Sequence, residues 1–256
     1  MSGILADIPL WVLALAVIIT FFAGFVKGAV GFAMPMIMIS GLASFLPAET
    51  ALAALILPTV MANGIQALRQ GWRAAWDGVK TFRVYLLTLL VFLLFSAQLV
   101  RVLPQGALFL LIGIPVSGFA LMQLFGLHFS VSAKHRVRAE VLIGSFAGFF
   151  GGMSGVWGPP TVAYLTAIKA PKAEQMRVQG VVYGLGAVVL MGAHMRSGVL
   201  STFTAPLSAL MLVPAFLGMV IGLRLHDRMA QDRFRRMTLL VLVVAGLNLM
   251  RRGLMG

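Results

Sequence analysis

The sequence contains no cysteine and only 7 Asp or Glu residues in a chain of 256. The absence of cysteine excludes disulfides, thiolate metal sites and cysteine nucleophiles. The sequence also lacks an H-E-x-x-H or comparable metal motif, and it lacks a P-loop for ATP. Because no nucleophile and base can be paired, we expect no enzymatic activity and no cofactor.

Charged residues of either sign make up only 11% of the chain, whereas 60% is hydrophobic and the mean hydropathy is +0.99. Such a chain is a membrane protein and not a water-soluble globule. A membrane helix takes about 20 apolar residues, so the length has room for roughly eight to ten membrane segments. This excludes a sizeable domain outside the membrane, such as an ATPase or a DNA-binding domain.

The charge that is present is strongly basic, with 20 Lys and Arg residues and a formal net charge of +13. In a soluble chain this balance would suggest nucleic acid as a partner. In a membrane chain, basic loops fix the topology, and further basic residues can attract an anion. We therefore expect the lipid bilayer and a small anionic substrate as partners, and no nucleic acid.

The stretches without charge define the organisation of the chain. Most of them hold one span, with proline or glycine at the joints, where a helix ends. The alternating pattern of β-barrel strands does not occur, so we predict an all-α fold. These stretches are residues 8–26, 28–48, 50–68, 84–100, 102–127, 141–168, 178–193, 197–223 and 237–250.

Two regions, 8–46 and 141–170, are too long for one helix, and glycines and a proline interrupt each of them midway. The interruptions are copies of each other at an offset of 124. FAGFVKGAVGFAMP, from Phe22 to Pro35, and FAGFFGGMSGVWGP, from Phe146 to Pro159, agree at seven positions. The chain is therefore predicted to be an internal duplication.

The distribution of Lys and Arg predicts how the two halves are oriented, because loops rich in these residues stay in the cytoplasm. Three loops qualify, and they comprise residues 69–83, 134–138 and 224–236. They share one side only if 141–170 crosses the membrane an even number of times, as a broken hairpin does. Both termini then face outward, which Arg251 and Arg252 fit poorly.

The predicted fold is thus an all-α polytopic membrane protein of two inverted repeats. Each repeat is a broken Gly-rich hairpin plus three transmembrane helices. The predicted boundaries are 1–127 for the first repeat, 128–138 for a basic cytoplasmic linker, and 139–256 for the second repeat.

Glycine-interrupted segments at matching positions of inverted repeats are typical of the binding site of a secondary transporter. A broken helix in a membrane leaves backbone N–H groups unpaired, so it survives only inside protein or beside a water-filled cavity. The N-terminus of a half-helix carries partial positive charge, which suits an anion. Alternatively, the glycines only allow tight helix packing.

The motifs GFVKGAVGFAMP and GFFGGMSGVWGPP, each followed by a short apolar arm and a Pro-containing turn, resemble the duplicated signature of the sulfite exporter TauE/SafE (TSUP) family. The likeness covers essentially the whole chain. It implies a multi-pass permease of the cytoplasmic (inner) membrane that moves small sulfur-containing or organic anions, such as sulfite or sulfonates. The first motif departs from a purely glycine-rich pattern, because Lys27 stands where its copy has Gly151.

Lys27 is the first candidate for binding the anion, because an ammonium among apolar stretches should face a cavity unless it snorkels to the membrane surface. Arg177 offers a planar fork for a sulfonate or carboxylate. It could equally be a cytoplasmic flank paired with Glu174. Asn63 and Gln66, spaced i,i+3, share a helix face, and packing between helices is an equal alternative for them. The further candidates, glycines of the breaks or possible lining donors and walls, are Gly28, Gly31, Ser154, Gly155, Trp157, Thr161 and Gln179.

We therefore predict a secondary transporter that exports a small anion. The alternative is a membrane-embedded structural or partner-binding subunit without transport of its own. The sequence leaves open the exact anion, the direction, the coupling ion (proton or sodium), the oligomeric state, and whether the hairpins span the membrane or re-enter it.

Overall fold

The computed structural model describes residues 4–68, 71–126, 131–225 and 231–255. The protein is 83% helical, and the described residues contain no strand, which confirms the all-α prediction. The α-helices in these ranges are α1 Leu10–Val30, α2 Met34–Leu42, α3 Ala48–Leu68, α4 Trp72–Thr81, α5 Arg83–Leu99, α6 Gln105–Leu124, α7 Arg136–Ser154, α8 Gly158–Ala167, α9 Lys172–Ser197, α10 Ala205–Leu210, α11 Leu212–Leu225 and α12 Gln231–Met255.

Both predicted breaks are present. Helix α1 ends at Gly31, whose φ of 87° is in the left-handed region, and α7 ends at Gly155, with a φ of 74°. A short helix follows each break with proline in its first turn, a position where the missing N–H costs nothing. Helix α2 folds back along α1, since Gly41 near its end packs against Ile19 in the middle of α1.

The two halves have the same order of helices: a long one, a short one, a long one, a consecutive pair and a final long one. The helix pairs that pack together also correspond between the halves, since helices of one half pack against the equivalent partners from the other half. Helix α1 packs against α11 and α7 against α5, while α3 packs against α9 and α6 against α12. This arrangement agrees with the predicted duplication. The inversion of the second half and the exact repeat boundaries stay predictions.

Glycines let the paired helices approach closely. A Cβ added at Gly24 in α1 would lie 2.2 Å from the carbonyl oxygen of Ala215 in α11. A Cβ at Gly148 in α7 would lie 2.1 Å from the carbonyl oxygen of Leu89 in α5. For these glycines of the repeated motif, tight packing is therefore the role that the structure supports.

The length and hydropathy of the described helices identify the candidate membrane spans. Five described segments are long and apolar enough, or six if α4 and α5, which meet at 85°, count as one span. Helices α2 and α8 have only 9 and 10 residues and are not among these segments. They are half-helices, too short to span the hydrocarbon core.

One end of the bundle collects the segments that are predicted to face outward. The backbone N–H of Ile4 donates to the carbonyl of Phe203 at 3.2 Å. Arg101 Nη1 donates to the carbonyl of Ser197 at 3.3 Å. The start of α6 also packs directly on the end of α12, where Gly106 lies against Gly253.

Candidate functional site

The two breaks meet at one small cavity between α3 and α9. Its volume is about 20 Å³, and a single buried water needs about 10–15 Å³. The lining residues come from the first break (Lys27, Phe32, Ala33, Pro35 and Met36), from the second break (Gly155, Val156, Trp157 and Gly158), and from the long helices (Asn63 and Tyr183).

Lys27 is the cation of this cavity, and its side chain is only 3% exposed. It therefore does not snorkel to the surface. Its Nζ donates to Asn63 Oδ1 at 2.8 Å, to the carbonyl of Gly31 at 3.2 Å, and to Gln66 Oε1. As the i,i+3 spacing predicts, both amides reach the same atom. An ammonium has three donors, so these three acceptors satisfy it fully.

Among the described residues, no carboxylate neutralises Lys27. Among the residues that the structure describes, the ion pair is between Arg136 and Glu140, and it does not involve the cavity. The face of the Tyr183 ring lies 5.0 Å from Lys27 Nζ, a cation–π contact. The described partners of Lys27 are therefore all neutral, so none of them cancels the charge of the ammonium for an anion.

The second break supplies a rigid wall. Trp157 is 2% exposed, and its ring packs between Gly151 of α7 and Gly186 of α9, where a Cβ on either glycine would lie 2.9 Å from the ring. Tyr183 Oη donates to the carbonyl of Gly158 at 3.2 Å, which ties the start of α8 to α9. The first turns of α2 and α8 both line the cavity, and prolines remove several of their N–H groups. The N–H groups left without an acceptor in their own helix are those of Met34, Met36 and Gly158.

Several predicted residues lie away from the cavity. Gly28 packs against α11, where an added Cβ would lie 2.2 Å from the carbonyl oxygen of Met219. Ser154 donates to the carbonyl of Phe150 at 2.6 Å and borders an apolar groove between α6 and α7. The structure thus gives these two residues a packing role and a helix-capping role.

Two further candidates, Thr161 on α8 and Gln179 on α9, do not line the cavity. Thr161 donates to the carbonyl of Trp157 at 2.7 Å, so it supports the cavity wall from behind. Gln179 is partly buried on α9. Arg177 also belongs to α9, but its side chain lies outside the part of the chain that the structure describes.

Sequence reasoning missed a polar cluster beside the second hairpin. Glu140, which is 4% exposed, accepts from Tyr164 Oη at 2.7 Å and from Arg136 Nε at 3.1 Å. Tyr164 stacks on Tyr85 with ring centroids 5.1 Å apart, and Tyr85 Oη bonds Thr161 Oγ1 at 2.9 Å. The cluster thus links the start of α7 to the wall of the cavity. The only signal in the sequence was a carboxylate in the first turns of an apolar helix.

Half-helices that meet at a buried cation inside an all-helical membrane bundle define the class of secondary transporters. A comparison with protein families agrees, because the family model described as "Sulfite exporter TauE/SafE" matches residues 16–249. The chain therefore belongs to the sulfite exporter TauE/SafE family. A search of curated proteins and a search of solved structures gave no significant match. Membership makes the chain a multi-pass membrane transporter of the sulfite or sulfonate exporter type.

Proposed function

We propose that this protein exports a small sulfur-containing or organic oxyanion, such as sulfite or a sulfonate, across the cytoplasmic membrane. One observation carries the proposal: Lys27 is buried at the point where both breaks meet, and no carboxylate of the described residues pairs with it. Burying a charge in this position costs free energy, and a bound anion would offset part of that cost. The family membership supports the same class of cargo.

The cargo would bind by exchange with the amides. Because the three donors of Lys27 are occupied, an anion has to displace the oxygen of Asn63 or Gln66. The backbone N–H groups of Met34, Met36 and Gly158, in the first turns of α2 and α8, would donate to the anion beside the ammonium.

The small volume of the cavity indicates a closed conformation. An oxyanion of four or more heavy atoms needs more room than the one or two waters that fit there. Export then requires the hairpins to separate, first toward the cytoplasm and later toward the outside. Two inverted repeats, 1–127 and 139–256, would provide the two related conformations.

Arg177 is proposed as a second positive charge from the other half of the chain. It lies in the first turns of α9, the helix that also carries Tyr183 of the cavity. A guanidinium binds a sulfonate or carboxylate with two parallel hydrogen bonds, whereas an ammonium acts as a point charge. The two cations would then contact different oxygens of one anion.

The test is calorimetric titration of the purified protein with sulfite, a short alkyl sulfonate and acetate. Lys27→Met should weaken binding by at least about tenfold, since a hydrogen bond to a charged group contributes about 1.5–3 kcal/mol. The matched control is Lys80→Met, which removes an exposed ammonium on α4. If Lys27→Met binds all three anions as the wild type does, the proposed site is wrong.

Proteoliposomes test transport itself and its direction. The protein alone should move labelled sulfite or sulfonate across the bilayer, and Lys27→Met should abolish this flux while its thermal unfolding stays cooperative. A structural subunit without transport of its own would give no flux with the wild type. Sidedness of the reconstituted protein, fixed by protease or thiol labelling, decides between export and import.

A further inference from the structure

A second polar cavity lies at the end of the bundle where α6 begins and α12 ends. Its volume is about 270 Å³, far larger than the cavity at Lys27. The polar residues that line it are Gln105, Arg251 and Arg252, and Phe109 and Met255 form its apolar wall. Two arginines therefore line one space that is large enough to admit a whole anionic group.

The structure holds both arginines in fixed positions. Arg252 Nη1 donates to the carbonyl of Ala43 at the end of α2, and its guanidinium carbon lies 4.4 Å from the centre of the Phe109 ring. Arg251 Nη2 donates to Asn248 Oδ1 at 3.1 Å. Asn248 Nδ2 in turn donates to Ser44 Oγ at 3.1 Å, so the turn after α2 anchors both side chains.

These arginines keep most of their hydrogen-bonding capacity. A guanidinium has five N–H donors, and the contacts above use one on each arginine. Within the described part of the chain, no carboxylate forms an ion pair with either of them. They also lie at the end of the bundle that is predicted to face outward. Basic residues that fix the topology lie on the cytoplasmic side, so topology does not explain these two arginines.

We propose that Arg251, Arg252 and Gln105 form a second oxyanion site, specific for a sulfonate, sulfate or phosphate group. Two arginine forks about a common space match the oxygens of such a group, and the amide of Gln105 adds a donor. The oxyanion comes either from solution or from the phosphate of a lipid headgroup, because the chemistry is the same.

This site is separate from the cavity at Lys27. Helix α2 runs between the two, from Ala33 at the first cavity to Ala43 at the second, and its 9 residues span about 13 Å. The proposal therefore does not depend on the function of Lys27. A Lys27→Met background removes the ammonium of the first cavity, so that the part of the remaining oxyanion binding that is lost with Arg251 and Arg252 reports the second site.

The free-anion arm is calorimetric titration of the Lys27→Met protein with sodium sulfate, at ionic strength held constant with chloride. Adding Arg251→Gln together with Arg252→Gln should weaken sulfate binding by at least about tenfold. Arg251→Gln alone leaves the contact of Arg252 with Ala43 intact, so it lowers affinity without removing this cap of α2. The matched control is Lys134→Gln with Arg138→Gln, which also removes two exposed positive charges and should bind like the background.

The lipid arm compares thermal unfolding in phosphatidylcholine nanodiscs with and without phosphatidylglycerol. If a headgroup phosphate is the ligand, phosphatidylglycerol raises the unfolding temperature of the wild type and of the control, but not of the Arg251→Gln/Arg252→Gln protein. If removal of the arginines weakens sulfate binding, the site binds an oxyanion from solution. If it removes the effect of phosphatidylglycerol on the unfolding temperature, the site binds a lipid headgroup. If the arginine variants match the control in both arms, the proposal is wrong.

Discussion

Lys27 Nζ donates a 2.8 Å hydrogen bond to Asn63 Oδ1, and this contact joins the first broken helix to the long helix that follows. Both residues are almost fully buried, at 3% and 2% exposure. A neutral amide oxygen accepts a hydrogen bond from an ammonium but does not cancel its charge as a carboxylate would. In the conformation described, Asn63 and Gln66 therefore occupy the donors that an anion would use.

Replacing Gln66 with Met should lower the stability of the protein without anion and raise the affinity of the site for the anion. The variant loses one acceptor of the Lys27 ammonium, so we expect the unfolding temperature without anion to fall. An anion no longer has to displace this amide, so the rise in unfolding temperature on adding sulfite should be larger than in the wild type. Fluorescence-monitored thermal unfolding at several sulfite concentrations measures both effects.

The control for this variant is Gln98→Met. Gln98 lies on α5, and its amide bonds backbone carbonyls of Leu94 and Ala193 instead of the cavity. It should leave the effect of sulfite unchanged. A Gln66→Met protein whose response to sulfite is smaller than that of the wild type would show that the amide helps to bind the anion instead of competing with it.

The breaks and the buried cation could be predicted from the sequence because their signals are local. Glycines and a proline inside an apolar run mark the end of one helix and the start of another, and Gly31 and Gly155 do adopt the left-handed conformation. Lys27 was identifiable because a single ammonium between apolar stretches must either face a cavity or reach the membrane surface. The repeat then indicated that both breaks contribute to one site.

The partners across helices could not be predicted in the same way. Tyr183 faces Lys27 from a helix more than 150 positions along the chain, and nothing in its neighbouring sequence distinguishes it. The glycines of the motif were easy to find in the sequence, but their individual roles could not be predicted from it. Gly28 and Gly31 belong to one motif, but Gly28 packs on α11 while Gly31 ends α1 and bonds Lys27. The two roles differ because the two glycines face different neighbours in the folded chain, and the sequence of the motif does not show which neighbour each one faces.

The buried pair of Glu140 and Tyr164 should contribute measurably to stability. Glu140→Ala leaves Tyr164 Oη and Arg136 Nε without their acceptor, so we expect a loss of about 1–3 kcal/mol in unfolding free energy. Tyr164→Phe should cost less, about 1 kcal/mol. The two losses should not add, because both variants remove the same hydrogen bond.

A double-mutant cycle by chemical unfolding in detergent micelles measures this coupling. The control is Glu49→Ala, since Glu49 is a partly buried acid in the first turn of α3 and forms no ion pair with a described residue. Its cost should stay below about 1 kcal/mol. Strict additivity of Glu140→Ala and Tyr164→Phe would contradict the bond between the two side chains.

The close approach of α5 and α7 predicts a severe effect for one added methyl group. In Gly148→Ala the new Cβ would lie 2.1 Å from the carbonyl oxygen of Leu89, so the helices have to separate. We expect a loss of several kcal/mol or failure to fold, because overpacking distorts backbone as well as side chains. Gly192→Ala in α9 is the matched control, since no atom lies within 4 Å of its added Cβ. Equal yields and unfolding temperatures for the two variants would mean that α5 and α7 do not pack as described.

The predicted inversion of the second half leads to an expectation about sidedness, which the absence of native cysteine makes easy to test. Single cysteines at Arg73 and Lys134 should react with an impermeant maleimide only after the membrane is permeabilised, whereas cysteines at Pro104 and Ser201 should react in intact cells. The physical reason is parity: a broken hairpin crosses an even number of times and three spans cross an odd number, so the second half begins on the side opposite to the first. The basic loops that contain Arg73 and Lys134 then share the cytoplasmic side. Reaction of positions 73 and 201 from the same side would contradict the inversion, and with it the proposal that two exchanged repeat conformations drive transport.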